Sequence, residues 1–86
     1  MKVSTSHSVP TAFNTNGYTT VAGIKASTGY QYLCSRVLQG RIAITSESVQ
    51  NDTSVTIVLR NVSPNTIAAD QNIDIISYFI RSEFVS

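Results

Sequence analysis

Residues 54–62, SVTIVLRNV, show the clearest alternation of apolar and polar side chains in this sequence. One side of an extended chain would carry Val55, Ile57 and Leu59, and the other Ser54, Thr56, Val58 and Arg60. A period of two is typical of a β-strand with one buried face. Turn-forming residues flank the stretch, Asn-Asp before it and Ser-Pro-Asn after it. We therefore predict a strand that supplies one wall of the core.

Residues 73–80, IDIISYFI, depart from this pattern because both sides of the predicted strand are apolar. A strand that is apolar on both faces must be covered on both faces. In a chain of 86 residues, the second cover is most readily a neighbouring copy of the same chain. We therefore expect Ile76, Tyr78 and Ile80, or their opposite-face neighbours, to lie at the interface between copies.

The rest of the sequence is rich in β-branched and aromatic residues that turn formers interrupt at short intervals. This pattern predicts short strands at residues 18–24, 32–38 and 41–46. Residues 1–16 are interpreted as an edge strand or extended lead-in, because Pro10 would interrupt a central strand. Residues 17–86 then form one all-β domain, an antiparallel, jelly-roll-like β-sandwich, and the whole chain has about six strands.

Charge is sparse in this chain. Six basic and five acidic residues give a net charge of +1, and 13% of residues are charged, about half of the usual ~25%. Scattered single cations cannot hold a phosphate backbone, so we exclude nucleic acid as a partner. No apolar run approaches the ~18 residues of a membrane helix, and no signal peptide is evident, so we expect no membrane insertion.

A domain of this size needs help to be stable. Cys34 is the only cysteine and His7 the only histidine, which excludes an internal disulfide and a cysteine/histidine metal cluster. Oligomerisation remains as the stabilising device. We interpret Cys34 as a small buried residue of a strand, with an interchain disulfide or a reactive thiol as the alternative.

The sequence favours a protein without catalysis, metal or cofactor. His7 lies in a Ser/Thr-rich stretch and is expected to be exposed to solvent. The carboxylates show no calcium-loop spacing, turn roles explain Asp52 and Asp70, and a glycosidase pair of Asp70 with Asp74 would need a larger cleft. The two Asn-X-Ser/Thr patterns, at Asn51 and Asn61, are interpreted as accidents of composition.

Tyr30, Gln31 and Tyr32 follow a predicted Ser-Thr-Gly turn. Aromatic rings beside amides and hydroxyls suit a sugar, because a ring covers the C–H face of a pyranose while polar neighbours bond its hydroxyls. We predict a glycan site at these three residues. The alternative is that one tyrosine packs into the edge of the sandwich and the other reaches solvent.

Three segments together resemble the small C-terminal β-domains of bacteriophage and prophage tail-fibre or receptor-binding proteins. They are GYTTVAGI at residues 17–24, VTIVLRNVS at 55–63 and YFIR at 78–81, and the resemblance extends over residues 17–82. It implies a homotrimer of β-sandwiches in the virion that contacts other virion proteins and binds host surface polysaccharide or teichoic acid. Two features depart from the family pattern: residues 38–53 are longer than its usual hairpin, and Met1 stands where a long shaft normally precedes the domain.

Two functions remain open from the sequence. The first is a receptor-binding module of a fibre tip that takes up host glycan for adsorption. The second is a purely structural virion protein, a fibre cap or capsid decoration, that binds no ligand. A third possibility is a lectin-like or adhesin module that belongs to the host and not to a virion, with the same sandwich and sugar ligand.

Overall fold

The computed structural model describes residues 1–9, 11–51 and 54–84 and is all-β. Six strands are followed by one turn of 3-10 helix, Ser82–Phe84: β1 (Lys2–Ser8), β2 (Tyr18–Lys25), β3 (Tyr30–Val37), β4 (Ile42–Asn51), β5 (Ser54–Asn61) and β6 (Asn72–Arg81). The predicted strands are confirmed, although β4 continues five residues beyond its predicted end at Ser46. No helix of the described residues has the length and apolar character needed to cross a membrane.

The strands form two three-stranded antiparallel sheets. The first sheet has the order β1-β6-β3 and the second the order β2-β5-β4. The middle strands, β6 and β5, are the two with the strongest apolar patterns in the sequence. Because a middle strand has neighbours on both sides, its inward side chains are the ones most completely removed from water.

One apolar cluster fills the space between the two sheets. Val55, Ile57 and Leu59 of β5 are all 0% exposed, as their alternation predicts. β6 contributes Ile73, Ile75 and Phe79 from the opposite side. Burying a side chain of this size contributes about 1.5 to 3 kcal/mol, so these two strands supply much of the stability of the chain.

The N-terminal segment belongs to the same core. β1 is an edge strand, as predicted, and pairs with β6 along its whole length. Beyond it, Val9 and Phe13 are buried, and Phe13 exchanges two backbone hydrogen bonds with Ile67, at 2.8 and 2.9 Å. Residues 1–16 therefore combine a paired edge strand with a segment that closes one end of the core.

The outer face of β6 carries the second apolar set expected from the sequence. Ile76, Tyr78 and Ile80 are only half-buried there, and Leu33 of the neighbouring β3 is 60% exposed. Within the described part of the chain, no other strand covers this face. We call Ile76, Tyr78, Ile80 and Leu33 the outer apolar face.

A bulge in β3 corrects the expectation that Cys34 is buried. Tyr32 pairs with Phe79, but the register then shifts so that Cys34, rather than Leu33, lies opposite Tyr78. The extra residue reverses the side to which Cys34 points, because side chains alternate along a strand. Cys34 is consequently exposed on the outer side of the first sheet.

Asn61 is fully buried and organises the turn after β5. Its Nδ2 donates to the carbonyls of Phe13 and Asn65, each at 2.9 Å. Its Oδ1 accepts from the backbone N–H of Ser63 at 3.0 Å and from the Ser63 hydroxyl at 2.7 Å. The amide nitrogen that would carry a glycan is thus inaccessible, while the other acceptor pattern, at residues 51–53, extends outside the described residues.

Candidate functional site

A cleft opens at the end of the first sheet, where β3 begins and β6 ends. It has a volume of about 510 Å³ and is lined by Thr28, Gly29, Tyr30, Arg81, Ser82 and Glu83. Gly29 adopts a φ of 91°, which favours glycine. Its carbonyl accepts a 2.8 Å hydrogen bond from the Ser82 N–H, which ties the start of β3 to the end of β6. We call this the Tyr30 cleft.

The chemistry of the Tyr30 cleft combines one aromatic ring with charged and hydroxyl groups. Tyr30 is half-buried and packs against the core, so its ring is held in place. Arg81 and Glu83 form an ion pair with a 3.5 Å N···O distance, and both side chains are more than half exposed. The cleft therefore offers a hydrophobic surface beside hydrogen-bond donors and acceptors that a ligand can reach.

The structure does not bring the three predicted glycan residues together. Tyr30 lines the cleft, but Gln31 pairs with Ile80 and so lies on the outer side of the sheet. Its Oε1 is buried without a hydrogen-bond partner among the described residues. Tyr32, opposite Phe79, returns to the inner side. The alternation of a strand separates neighbours in this way, and the sequence pattern already contains that signal.

Tyr32 makes its contacts within the chain, between the two sheets. Its ring meets Phe79 edge-on with centroids 5.5 Å apart. Its hydroxyl lies 2.8 Å from Ser35 Oγ and 2.7 Å from Glu47 Oε1, and Ser35 Oγ lies 2.7 Å from Ser77 Oγ. We call Ser77, Ser35, Tyr32 and Glu47 the polar chain. It connects the first sheet to β4 of the second sheet.

Burial raises the pKa of the Tyr32 phenol well above its ordinary value, and the Glu47 carboxylate adds to the rise. Tyr32 is therefore a neutral donor near pH 7, with Glu47 as its acceptor. Sequence reasoning missed the polar chain because its hydrogen bonds join distant residues: Tyr32 and Glu47 are 15 residues apart, and Ser35 and Ser77 are 42 apart. The available signal was Ser77, a hydroxyl residue on the otherwise apolar buried side of β6.

His7 lies at the opposite end of the molecule and is half-buried, which corrects the expectation of an exposed side chain. Its Nε2 lies 3.2 Å from Thr19 Oγ1 of the second sheet. Burial lowers the pKa of the imidazole. His7 is half-buried because the alternation of side chains along β1 directs it toward the second sheet. A cavity of about 360 Å³ beside it is also lined by Tyr18 and Thr20.

Asp70 and Asp74 serve local structure, and Asp52, which was also predicted to lie in a turn, is outside the described residues. Asp74 accepts from Gln39 Nε2 at 3.2 Å, and Asp70 has a φ of 67° in the turn before β6, in agreement with its predicted turn role. No group of three or more metal-ligating side chains occurs among the described residues.

Comparison with protein-family models, with curated proteins and with solved structures found no match for this chain. The resemblance to fibre domains therefore stays a prediction from the sequence.

Proposed function

We propose that this chain is a bacteriophage or prophage fibre or tip protein, a trimeric, jelly-roll-like β-sandwich that binds host surface polysaccharide or teichoic acid. The observation that carries the binding part is the Tyr30 cleft. The virion assignment rests on the sequence segments 17–24, 55–63 and 78–81.

The composition of the Tyr30 cleft suits a saccharide. The Tyr30 ring covers the apolar face of a sugar ring, while Arg81, Glu83 and the neighbouring hydroxyls bond sugar hydroxyls. Arg81 also suits the phosphate of a teichoic acid. A shallow cleft of this kind binds weakly, and three linked copies would bind more strongly through effective concentration.

The outer apolar face supports the assembly part of the proposal. Contact between copies would remove Ile76, Tyr78 and Ile80 from water, and would also cover the more exposed Leu33. The low charge of the chain fits this use, because charged residues are depleted at the centres of interfaces between proteins.

The binding part is tested by adsorption of purified protein to host cells and by a glycan array. Arg81→Ala and Tyr30→Ala are expected to lose adsorption at least tenfold while far-ultraviolet circular dichroism stays unchanged. Arg81→Ala should fold normally, since the Arg81 side chain is 62% exposed, so a loss of adsorption by this variant can be attributed to the cleft. Tyr18→Ala is the matched control, because Tyr18 is 64% exposed at the other end of the molecule. Unchanged adsorption by both cleft variants would refute the site.

A purely structural virion protein is the second candidate, and the outer apolar face favours it because that face needs a partner copy but no ligand. The two candidates differ in one observation. A structural protein would form trimers and enter virions, yet bind nothing on the array and adsorb to no host cell.

A further inference from the structure

β1 is the one edge strand of the described structure whose pairing contains no register shift. The other three edge strands, β2, β3 and β4, each have at least one bulge or irregularity. β1 instead pairs with β6 without interruption from Lys2 opposite Tyr78 to Ser8 opposite Asn72. Bulges twist an edge and discourage further strands from pairing with it. β1 lacks that protection.

At every second residue of β1, the backbone N–H and C=O groups point to the free edge of the strand. Met1 donates to the Phe79 carbonyl at 2.7 Å and accepts from the Phe79 N–H at 2.8 Å. Because hydrogen-bonded pairs alternate along an antiparallel ladder, the odd-numbered residues of β1 bond β6. The even-numbered residues direct their N–H and C=O groups away from β6: Lys2, Ser4, Ser6 and Ser8. These four residues present eight groups, and no backbone group of the described residues pairs with them.

We propose that β1 of a second copy pairs with β1 in antiparallel orientation about a two-fold axis at Thr5. The two first sheets would join into one sheet of six strands. This register places Ser4 opposite Ser6 of the partner copy and Lys2 opposite its Ser8, so all eight groups of each copy are bonded. The two Thr5 side chains meet at the axis, and Thr–Thr is a favourable cross-strand pair.

Charge favours this partner and this orientation. Lys2 is the only charged side chain of β1, and the two-fold arrangement places the two lysines at opposite ends of the pair. Six residues of strand separate them, about 20 Å at ~3.4 Å per residue, which exceeds the Debye length of ~8 Å at physiological salt. A parallel pairing would instead bring the lysines side by side. The edge of β1 is thus complementary to the same edge of a second copy, as a two-fold interface requires.

The edge contact differs from the proposed trimer contact and goes beyond it. The free backbone groups point outward within the plane of the first sheet, whereas the side chains of the outer apolar face project perpendicular to that plane. Both surfaces can be occupied together. Edge pairing alone gives a two-chain particle, and edge pairing combined with the trimer closes at six chains when the two-fold axis crosses the three-fold axis at a right angle.

Amide hydrogen exchange of the full chain, followed by NMR at increasing protein concentration, tests the contact residue by residue. The amides of Val3, Thr5 and His7 bond β6 and should be protected at every concentration, which makes them internal controls. The amides of Ser4 and Ser6 should gain at least about tenfold protection as copies associate. Association through the outer apolar face would not protect them. If Ser4 and Ser6 exchange freely in a self-associated sample, the proposal is wrong.

A proline variant provides a second test. Ser6→Pro removes one outward N–H and leaves the bonds of Thr5 and His7 to β6 in place. It should weaken the pairing of β1 with β1 of a second copy, raising the dissociation constant measured by light scattering at least about tenfold. Ser6→Thr should not change this constant. Continued protection of Val3 and Thr5 shows that the variant folds. Equal masses for the two variants would overturn the proposal and would leave the Tyr30 cleft untouched, since glycan binding is measured separately.

Discussion

Tyr32→Phe isolates the polar chain, because the substitution removes the hydroxyl and keeps the ring that packs on Phe79. An ionised carboxylate accepts hydrogen bonds only, so the Tyr32 proton is directed to Glu47 Oε1 at 2.7 Å. The serine hydroxyls can then supply the bonds from Ser35 to Tyr32 and from Ser77 to Ser35. The hydrogen-bonded link between the sheets at this edge passes through one phenolic oxygen.

The expected loss follows from the partners that remain. A hydrogen bond to a charged group contributes about 1.5 to 3 kcal/mol, but Glu47 is exposed and can turn to water. Ser35 keeps its bond to Ser77, so no buried hydroxyl loses every partner. Because these partners remain satisfied, we expect a loss of about 1 kcal/mol in the free energy of unfolding, which is below that range. In a domain of this size, that lowers the melting temperature by about 4 to 8 °C.

Urea denaturation followed by circular dichroism measures the loss, at one protein concentration for all variants. Tyr18→Phe is the matched control, because Tyr18 is 64% exposed and its hydroxyl bonds no described residue; the stability of this variant should be unchanged. A double-mutant cycle with Glu47→Gln should show a coupling energy of at least ~0.5 kcal/mol between Tyr32 and Glu47. A Tyr32→Phe protein as stable as the control, or a coupling energy of zero, would refute the reasoning.

Three further predictions concern other parts of the molecule. Burial lowers the pKa of His7, so the unfolded chain binds the proton more readily. The free energy of unfolding should therefore fall as pH drops below about 6.5. When this free energy is measured by urea denaturation at several pH values, His7→Gln should remove most of that fall. Asn61→Ala breaks four hydrogen bonds of a buried amide and should cost about 2 to 4 kcal/mol; a loss under ~1 kcal/mol would contradict its structural role. Tyr78→Glu should keep the fold and reduce the proposed trimer to smaller species in light scattering.

The strands and the core were predictable because their signal is local. Alternation along β5 identified Val55, Ile57 and Leu59 as buried, and the residues of β6 identified a strand that is apolar on both faces. These predictions depend only on the period of two and on which residues are apolar. They required no knowledge of which strands pair.

Residues whose environment depends on register were not predictable in the same way. Cys34 was expected to be buried, and one extra residue in β3 places it outside. His7 was expected to be exposed, and the approach of β2 half-buries it beside Thr19. A bulge or a neighbouring sheet is a long-range feature that the identity of the single residue does not encode.

The two sheets differ in how their outer sides are satisfied, and this difference indicates which sheet meets other copies. On the outer side of β5, Thr56 bonds Gln50 at 3.0 Å and Arg60 bonds Asn16 at 2.6 Å. The Thr56 hydroxyl and the Arg60 Nη2 thus have partners within the chain, while the Arg60 Nε is buried without one among the described residues. The corresponding side of β6 presents Ile76, Tyr78 and Ile80, and the edge beside it presents the unpaired backbone of β1. Apolar surface and unpaired backbone groups are the two features that favour association, and the described structure combines them in the first sheet. Assembly should therefore respond to substitutions in β1 and β6 and be insensitive to Thr56→Ser or Arg60→Lys.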